Sequence, residues 1–298
     1  MRTTTASEKT LTSKEAARLL GVSEASIKRW ADIGLLPVLK TAGGHRRFRP
    51  EDIAIYLRNS VSGTHSSICE QPKRQIQSRS KSAVPDRKEL ASLLYKTLVQ
   101  GRSNDAAAIL VRLHLNGSSV ADLADQLLCP VMRTIGDLWQ TGELSVAEEH
   151  FATQTALEAL YTLRISLQTE KPSGRSAICC SIEGDFHELP VNLAAQSLEA
   201  SGWRVFNLST STPLYSLAEA VKRFKPRLVC VASTILLTGL DRAVRDYTEL
   251  RKACERCGTS IVLGGRGFAS QELYQRFSPD LYAENFKQLE NFVSRMKN

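Results

Sequence analysis

Residues 183–190, EGDFHELP, lie between an apolar run and a helical pattern and place Asp185 two residues before His187. A neutral imidazole can bind a transition metal through one nitrogen, while a carboxylate on its other nitrogen fixes the tautomer and raises the basicity. A single histidine at the end of a strand is otherwise most often a surface or core residue with satisfied hydrogen bonds. The pair therefore indicates a ligand site only if neighbouring loops carry matching groups.

Two later loops carry such groups. Ser233 follows the apolar run LVCVA, and Gly264 with Gly265 follows the run SIVL. A serine hydroxyl can hydrogen-bond a ligand, and adjacent glycines allow a backbone to pass close to one. The run GGRGF lacks the G-x-G-x-x-G spacing of a dinucleotide site. The three loops together favour one shared ligand site of another kind.

The pattern of residues 172–298 predicts the elements that hold these loops. Five short apolar segments, each followed by a stretch with helical periodicity, indicate a parallel sheet covered by helices on both faces. In such folds ligands bind beyond the carboxyl ends of the strands, where the strand order reverses. We therefore expect a flavodoxin-like or Rossmann-like five-stranded parallel α/β domain that carries the three loops on one edge.

Residues 87–171 show four helical patterns with short connections, which predict a four-helix bundle in which Pro130 kinks or splits the third helix. Trp139 stands near the end of the third pattern, and Glu149 with His150 begins the fourth after a short loop. An indole beside a carboxylate and an imidazole can cover a ligand at the edge of a bundle. On the pattern alone, a core tryptophan and a helix surface are the simpler interpretation.

The chain has a net charge of +8, and the whole excess of basic over acidic residues lies in its first quarter. Residues 1–81 contain 15 Lys and Arg against 7 Asp and Glu, whereas the remaining residues contain 24 of each kind. A local basic excess predicts a polyanionic partner, most simply double-stranded DNA. Residues 60–86 are rich in Ser, Gln and basic residues without an apolar period, which predicts a flexible basic linker.

Residues 1–59 are predicted to form the DNA-binding domain. Two short helical patterns around a tight turn, an extended piece, a Gly-Gly turn and a basic returning strand indicate a winged helix-turn-helix. Residues 11–58, with the run GGHRRFRPEDI, strongly resemble the winged helix-turn-helix of the MerR family of transcription regulators. That resemblance implies contacts with operator DNA from the second helix and the wing, through Lys28, Arg29, His45, Arg46, Arg47 and Arg49.

The three loops of the last domain resemble the signature D-x-H-x-x-G, S-x-L and G-G of the cobalamin-binding domains related to methionine synthase. Asp185 and His187 match its first part, Ser233 begins its second part, and Gly264 with Gly265 matches its third. The resemblance implies that His187 is the lower axial ligand of cobalt, oriented by Asp185. It also implies that Ser233 and the two glycines adjoin the nucleotide tail of the cofactor.

The order of the domains resembles that of the light-responsive, adenosylcobalamin-dependent repressors of carotenoid genes, which are MerR-family regulators with a C-terminal cobalamin-binding domain. In that family a Trp, nine residues and a Glu-His pair cover the adenosyl side of the cofactor, a spacing that Trp139, Glu149 and His150 match. The resemblance implies a transcription repressor and photoreceptor that holds adenosylcobalamin between bundle and α/β domain. It further implies a homo-oligomer, a tetramer when loaded, on operator DNA.

Two positions depart from the family pattern and leave alternatives open. Pro190 stands where the cobalamin motif has Gly, and Gln140 stands where light-sensing relatives have a His directly after the Trp. The alternative is a MerR-type regulator that has lost cobalamin or senses haem, a bilin or a protein partner. A corrinoid-carrying methyltransferase subunit is a third interpretation. The basic winged domain favours a regulator, so we expect no enzyme activity.

The composition also bears on location. No apolar stretch reaches the roughly 18 residues of a membrane span, and the first residues lack the apolar core of a signal peptide. Seven cysteines are scattered without a disulfide framework, which is typical of a reducing compartment. We therefore expect a cytoplasmic protein that does not associate with membranes.

Overall fold

The computed structural model describes the chain in segments: residues 10–20, 24–32, 36–41, 43–50, 52–53, 86–167, 173–235, 240–269, 273 and 276–296. Five helical residues within these segments are described by their backbone alone: Ala25, Ser26, Arg29, Asp32 and Leu240. The predicted linker, residues 60–86, lies outside the described segments except for Asp86. The side chain of Arg29, expected to contact DNA, also lies outside the description.

The N-terminal part has the elements of a winged helix-turn-helix. In chain order they are β1 (Leu11–Thr12), α1 (Ser13–Leu20), α2 (Glu24–Asp32), β2 (Leu39–Lys40) and β3 (Arg46–Phe48). The three strands form an antiparallel sheet in the order β1-β3-β2, so the basic strand β3 is central. Ile27 of α2, Leu36 and Phe48 of β3 are fully buried and hold the helices against the sheet. The predicted winged fold is confirmed.

A capping box begins helix α1. The backbone N–H of Thr12 donates to the Glu15 carboxylate at 2.7 Å, and the backbone N–H of Glu15 donates to the Thr12 hydroxyl at 3.2 Å. These hydrogen bonds from Thr12 lower the pKa of Glu15, and the charge of Arg47 on β3 adds a smaller effect. The first turn of α1 therefore interacts electrostatically with the wing strand β3.

The middle part is the predicted bundle of four helices. Its elements are α3 (Arg87–Val99), α4 (Ser103–Leu115), α5 (Val120–Leu123), α6 (Cys129–Gln140) and α7 (Val146–Ser166). Helices α5 and α6 are joined by a π turn (Ala124–Leu128) and together form the third helix of the bundle. Apolar side chains three and four residues apart on each helix fill the core, among them Leu94, Leu98, Leu110, Ile135 and Leu160.

The third helix is interrupted just before Pro130. The backbone N–H of Cys129 donates to the carbonyl of Ala124, five residues earlier, which closes the π turn. Pro130 then occupies the second position of α6, and its own carbonyl accepts the Thr134 hydroxyl at 3.2 Å. Proline has no N–H to continue an α-helical ladder. The predicted split of this helix is therefore accommodated by one turn of wider hydrogen bonding.

The C-terminal part is the predicted five-stranded parallel α/β domain. Its elements are β4 (Ser176–Ser181), α8 (Glu188–Ala200), β5 (Arg204–Asn207), α9 (Leu214–Phe224), β6 (Leu228–Ala232), α10 (Leu240–Cys257), β7 (Ser260–Gly264), β8 (Leu281–Ala283) and α11 (Phe286–Arg295). The strand order is β5-β4-β6-β7-β8, all parallel. This is the flavodoxin-like order, in which the chain reverses direction across the sheet between β4 and β6.

Helices cover both faces of this sheet, because the strands are apolar on both sides. Val191 of α8 and Leu289 of α11 pack on one face, against strand residues that include Cys230. Leu217 of α9 and Leu250 of α10 pack on the other face. Among the described residues, no helix is both long and apolar enough to span a membrane.

The bundle rests on the face of the sheet that α8 and α11 cover. Nε of Arg164 on α7 donates to the carboxylate of Glu199 on α8 at 2.6 Å. Asp125 in the π turn accepts the backbone N–H groups of Phe286 at 2.9 Å and Lys287 at 2.8 Å, at the start of α11. The π turn thus supplies a capping carboxylate to a helix of the α/β domain and links the two units.

Candidate functional site

The loop between β4 and α8 holds the predicted ligand pair in a hydrogen-bonded turn. Nδ1 of His187 lies 2.7 Å from Oδ1 of Asp185, and the backbone N–H of His187 donates to the same oxygen at 2.9 Å. The second carboxylate oxygen accepts the backbone N–H of Thr234, in the loop after β6. The Asp185 carboxylate is fully buried. One buried carboxylate therefore joins two loops and orients one imidazole.

Groups at the ends of β4 and β5 hold Asp185 in place. The hydroxyl of Ser181, the last residue of β4, donates to the Asp185 carbonyl at 2.6 Å. The backbone N–H of Ser211 donates to the same carbonyl at 2.9 Å, and the N–H of Asp185 donates to the carbonyl of Ile182 at 3.0 Å. The position of the carboxylate therefore follows from the parallel register of neighbouring strands.

The charges of the pair reinforce each other. Burial alone favours the neutral form of Asp185, but hydrogen bonds from His187 and Thr234 outweigh it, so the pKa of this carboxyl is lowered. The hydrogen bond to Asp185 raises the pKa of His187 against partial desolvation, and the charge of Glu149 in the bundle adds to the rise. A charged residue of the bundle therefore stabilises the protonated form of a histidine in the α/β domain.

The remaining nitrogen of His187 is open to a ligand. The His187 side chain is 52% exposed. Within the described segments, Nδ1 has its partner in Asp185, and no hydrogen bond engages Nε2. An imidazole that is fixed through Nδ1 and free at Nε2 is arranged as a metal ligand whose tautomer is set by the carboxylate.

The loops after β6 and β7 pack backbone against backbone. The N–H of Ser233 donates to the carbonyl of Gly264 at 2.9 Å, and the N–H of Gly267 donates to the carbonyl of Ser233 at 2.8 Å. Gly265 has a φ of 99°, and a Cβ at Gly265 or Gly267 would collide with Ser233. The buried Ser233 hydroxyl donates to the carbonyl of Ile235 at 2.9 Å. These residues therefore brace the loop that contacts the buried carboxylate.

A cavity of about 220 Å³ lies beside this edge of the sheet, between α8 and α11. Most of its wall is apolar, with Ala232, Val262 and Leu289 contributing, and it is also lined by Gly264 and Gly265. An apolar cavity with a few polar groups near its rim is the usual form of a small-molecule site. The cavity and the two glycines are therefore connected to the Asp185–His187 pair through Thr234, which lines the cavity and donates its N–H to Asp185.

Pro190 forms part of the wall of this cavity and is the third residue of α8. The first N–H groups of a helix have no partner within the helix, so proline in this turn costs no helical hydrogen bond. Compared with the glycine of the family pattern, its ring takes space and removes one N–H. The cavity persists with proline in its wall, so this departure narrows the site without closing it.

Trp139 and the Glu149-His150 pair lie at neighbouring helix ends of the bundle. Trp139 is 44% exposed, so its interpretation as a core residue is wrong, because Ile135 and Leu144 fill the core at this end. Nε2 of the exposed His150 lies 3.7 Å from the Glu149 carboxylate. This end of the bundle therefore presents an indole, a carboxylate and an imidazole outward.

Three residues of this region were not revealed by the sequence patterns. Phe186, next to His187, is 74% exposed. Thr234 contributes a backbone N–H to the site, so its residue type could not predict this contact. Gly267 was visible as the third glycine of GGRGF, but its close approach to Ser233 follows only from the packing of two loops.

The wing presents the predicted basic residues near a tight hairpin. The N–H of Thr41 donates to the carbonyl of His45 at 3.0 Å, and Gly44, with a φ of 77°, donates to the carbonyl of Thr41 at 2.8 Å. Among the predicted DNA contacts, His45 and Arg49 are exposed, whereas Arg46 and Arg47 are half-buried. The hairpin therefore offers positive charge to solvent at its tip and flank.

Lys28 lies exposed on α2, with its Nζ 2.8 Å from the Glu24 carboxylate one turn earlier. An exposed pair of this kind is weak, so the ammonium remains available to a phosphate. Arg29 belongs to the same helix, but its side chain is outside the described part of the chain. Contact of these residues with DNA stays a prediction.

Models of three protein-family domains match the chain. A helix-turn-helix domain matches residues 10–60, and two models described as B12 binding domain match residues 90–164 and 175–283. The first B12 match corresponds to the helical bundle and the second to the α/β domain. The bundle and the α/β domain that carries His187 therefore both match B12 binding domains.

Similar proteins have related architectures. The chain is 25% identical over 281 residues to the HTH-type transcriptional repressor CarH of Myxococcus xanthus, covering 89% of this chain and 92% of that protein. It is 22% identical over 216 residues to the trimethylamine corrinoid protein of Methanosarcina barkeri, covering 72% and 92%. The solved monomethylamine corrinoid protein of M. barkeri superposes with a TM-score of 0.57 at 19% identity, covering 70% of this chain and 98% of that one. The last likeness shows a shared fold.

The site geometry agrees with the cofactor that these domains bind. A free Nε2 on His187 would suit the cobalt of a corrinoid, and the apolar cavity lined by Pro190 and Thr234 would suit the aromatic base of its tail. Cobalamin is the cofactor of this protein. The chain is therefore a CarH-like, cobalamin-binding and DNA-binding regulator of transcription.

Proposed function

We propose that this protein is a transcription repressor whose binding to operator DNA is controlled by adenosylcobalamin held between the bundle and the α/β domain. One observation carries the proposal. The imidazole of His187 is fixed through Nδ1 by the buried Asp185, its Nε2 is free, and Thr234, which hydrogen-bonds the same carboxylate, lines an apolar cavity. The similarity to CarH, which is named a transcriptional repressor, supports the direction of control.

Residues on the edge of the sheet would hold the lower side of the cofactor. Nε2 of His187 would bind cobalt, and Asp185 would keep Nδ1 protonated and the ligand basic. The apolar cavity beside Pro190 takes the aromatic base of the nucleotide tail. Gly264 and Gly265 present backbone without side chains along the wall of that cavity.

The outward end of the bundle would cover the upper side. Trp139, Glu149 and His150 are proposed to enclose the adenosyl group. When bound, adenosylcobalamin supplies a cobalt–carbon bond that light breaks. Helix α7 carries both Glu149, whose charge acts on His187, and Arg164, which pairs with Glu199 of the α/β domain. Enclosure of the upper side would therefore strengthen the contact between the bundle and the sheet.

Control of DNA binding would run through assembly. Several winged domains joined in one particle occupy repeated half-sites more tightly than a single one. A cofactor shifts an assembly equilibrium only if it binds one state better than the other. We propose that the loaded protein is a homo-oligomer, a tetramer, and that this state occupies the operator in the cytoplasm.

Light is proposed as the signal, and Gln140 stands where the light-sensing relatives have a histidine. An amide is a poorer ligand for cobalt than the imidazole at this position in the light-sensing relatives. Gln140 would therefore not hold the corrinoid after illumination as that imidazole would. We expect disassembly of the oligomer in light, with release of the corrinoid from the protein.

The test is a titration of the purified protein with adenosylcobalamin in the dark and after illumination. Absorption spectra report ligation of cobalt by imidazole, light scattering reports oligomer mass, and a shift assay on operator DNA reports occupancy. We expect a changed spectrum, a larger particle and tighter DNA binding in the dark, all reversed by light. A spectrum equal to that of the free cofactor, with unchanged mass and DNA binding, would contradict the proposal.

An enzymatic role is the second candidate, because the chain is similar to corrinoid proteins whose names connect them with methylamines. The N-terminal winged domain and the basic excess of residues 1–81 favour a regulator over a methyl carrier. We therefore propose that the protein has no enzyme activity. Methyl transfer from protein-bound methylcobalamin to a thiol or amine acceptor would overturn this part of the proposal.

A further inference from the structure

A second cavity, of about 600 Å³, lies between the bundle and the α/β domain. It shares part of its wall with the apolar cavity beside Pro190, at the carboxyl ends of β7 and β8. The residues common to both walls are Gly264, Gly265, Arg266, Ala283, Glu284, Asn285 and Phe286. A ligand that fills the apolar cavity can therefore extend along this wall into the larger one.

Two arginines line the larger cavity, one from each unit. Arg266 directly follows the two adjacent glycines and begins a short 3-10 helix, whereas Arg133 lies on α6 of the bundle. Both residues are exposed. Within the described segments neither guanidinium takes part in an ion pair or a hydrogen bond. Each therefore keeps its donors for a ligand.

The acidic residues of the same wall are already engaged. Asp122 lies 3.3 Å from Nζ of Lys287, and Asp125 accepts two backbone N–H groups at the start of α11. Glu284 accepts the side-chain amide of Gln288 at 3.4 Å. Within the described residues, the two guanidiniums are thus the charged groups of this wall that have no hydrogen-bonding or ion-pair partner. An apolar cavity that is lined by Arg266 and adjoins a larger cavity lined by both arginines fits an aromatic base joined to a phosphate.

We propose that Arg133 and Arg266 together bind the phosphodiester of the cobalamin nucleotide tail. This inference rests on the proposed binding of cobalamin and adds two residues to it. A guanidinium matches phosphate oxygens with two parallel hydrogen bonds. Because the arginines come from different units, one phosphate would connect the bundle to the α/β domain. The tail would then contribute to closure of the bundle as well as to affinity.

The experiment compares three corrinoids that share the adenosyl group and differ in the tail. Adenosylcobinamide has no phosphate and no base, adenosylcobinamide phosphate has the phosphate alone, and adenosylcobalamin has both. Dissociation constants of the full-length protein are measured for each corrinoid in the dark, by spectral titration and calorimetry. Arg133→Ala and Arg266→Ala are compared with Arg245→Ala, an exposed arginine on α10 that lines neither cavity.

Loss of one charge-assisted hydrogen-bonding partner costs roughly 10- to 100-fold in affinity. We expect this loss for adenosylcobalamin and adenosylcobinamide phosphate in Arg133→Ala and in Arg266→Ala. Affinity for adenosylcobinamide is expected to remain unchanged in both variants. The Arg245→Ala protein should bind all three corrinoids as the wild type does.

Equal weakening of all three corrinoids, or no weakening of any, would overturn the assignment of the phosphate to these arginines. Binding of cobalamin by the wild type would in both cases leave the proposed function standing. If the wild-type protein binds none of the three corrinoids, the proposed function itself fails and this inference fails with it. Limited proteolysis of the loaded proteins adds a second readout, because cobalamin should protect the bundle better than cobinamide.

Discussion

The carboxylate of Asp185 is completely buried, while the imidazole of His187 that it contacts at 2.7 Å is half exposed. Within the described residues, the buried partner is held by groups from two further loops, so it cannot turn away from the histidine. The exposed partner keeps Nε2 free. This asymmetry distinguishes the pair from an ordinary surface ion pair and is the basis of two predictions.

His187→Ala should abolish ligation of cobalt by the protein. The bound cofactor would then lack the imidazole of position 187, so the absorption spectrum of the wild-type complex should be lost. Affinity should fall at least about tenfold, the usual loss when one ligating or hydrogen-bonding group to a charged centre is removed. His114→Gln on α4 is the control, because the Nδ1 of His114 contacts the Ser118 carbonyl within the bundle and not a residue of the loop that carries His187. An imidazole-ligated spectrum in His187→Ala would assign the ligand elsewhere.

The stability of the cofactor-free protein should depend on pH through this pair. The raised pKa of His187 contributes stability below its ordinary value of 6.5, which is lost as the pH rises through the raised value. The lowered pKa of Asp185 contributes above its ordinary value of 3.8, which is lost as the pH falls through the lowered value. The stability difference between the wild type and Asp185→Asn should therefore be largest between the two ordinary pKa values, near about pH 5.5, and should shrink once the pH exceeds the raised pKa of His187. Urea unfolding over a series of pH values measures it.

A histidine titration by NMR checks the same pair directly. The pKa of His187 should lie above 6.5 in the wild type and return towards that value in Asp185→Asn. An unchanged His187 titration in the variant would show that the carboxylate does not act on the imidazole.

Gly265→Ala and Gly267→Ala should both destabilise the loops around Asp185. Gly265 combines a φ of 99° with a collision against the Ser233 backbone, whereas Gly267 has the collision without a positive φ. Gly142→Ala is the matched control, since its φ of 79° is similar and nothing lies near its Cβ position. Left-handed strain alone costs about 1–2 kcal/mol. We expect Gly265→Ala to lose more unfolding free energy than Gly142→Ala. Cobalamin affinity should fall in Gly265→Ala and remain unchanged in Gly142→Ala.

Replacement of a wing arginine should reduce the salt dependence of DNA binding. Each phosphate contact contributes about 0.9 to the slope of log K against log salt concentration. Arg49→Ala should therefore lower the slope by about 1 and weaken binding to unrelated DNA sequences equally. Fluorescence anisotropy at a series of KCl concentrations measures the slope, with Arg245→Ala as the control. An unaltered slope would remove Arg49 from the interface.

Much of the fold was predictable from local pattern. The apolar runs of β4, β6 and β7 and the helical periods between them indicated a parallel sheet, because strands buried on both faces must be apolar throughout. The helical bundle and the winged domain followed from periodicity and turn residues in the same way. The exposure of Trp139 was not predictable, because a tryptophan at a helix end packs inward or outward according to how neighbouring core residues fill the bundle.

By itself, the sequence determined the order of the three folded units, the class of each and the identity of the Asp185–His187 pair. These features depend on residues close together in the chain. Only the tertiary structure decided that Thr234, 49 residues from Asp185, donates its backbone N–H to that carboxylate, and that Arg133 and Arg266 line one cavity. Contacts of this kind depend on strand register and on the packing of the bundle against the sheet, because local preferences do not specify which distant groups meet.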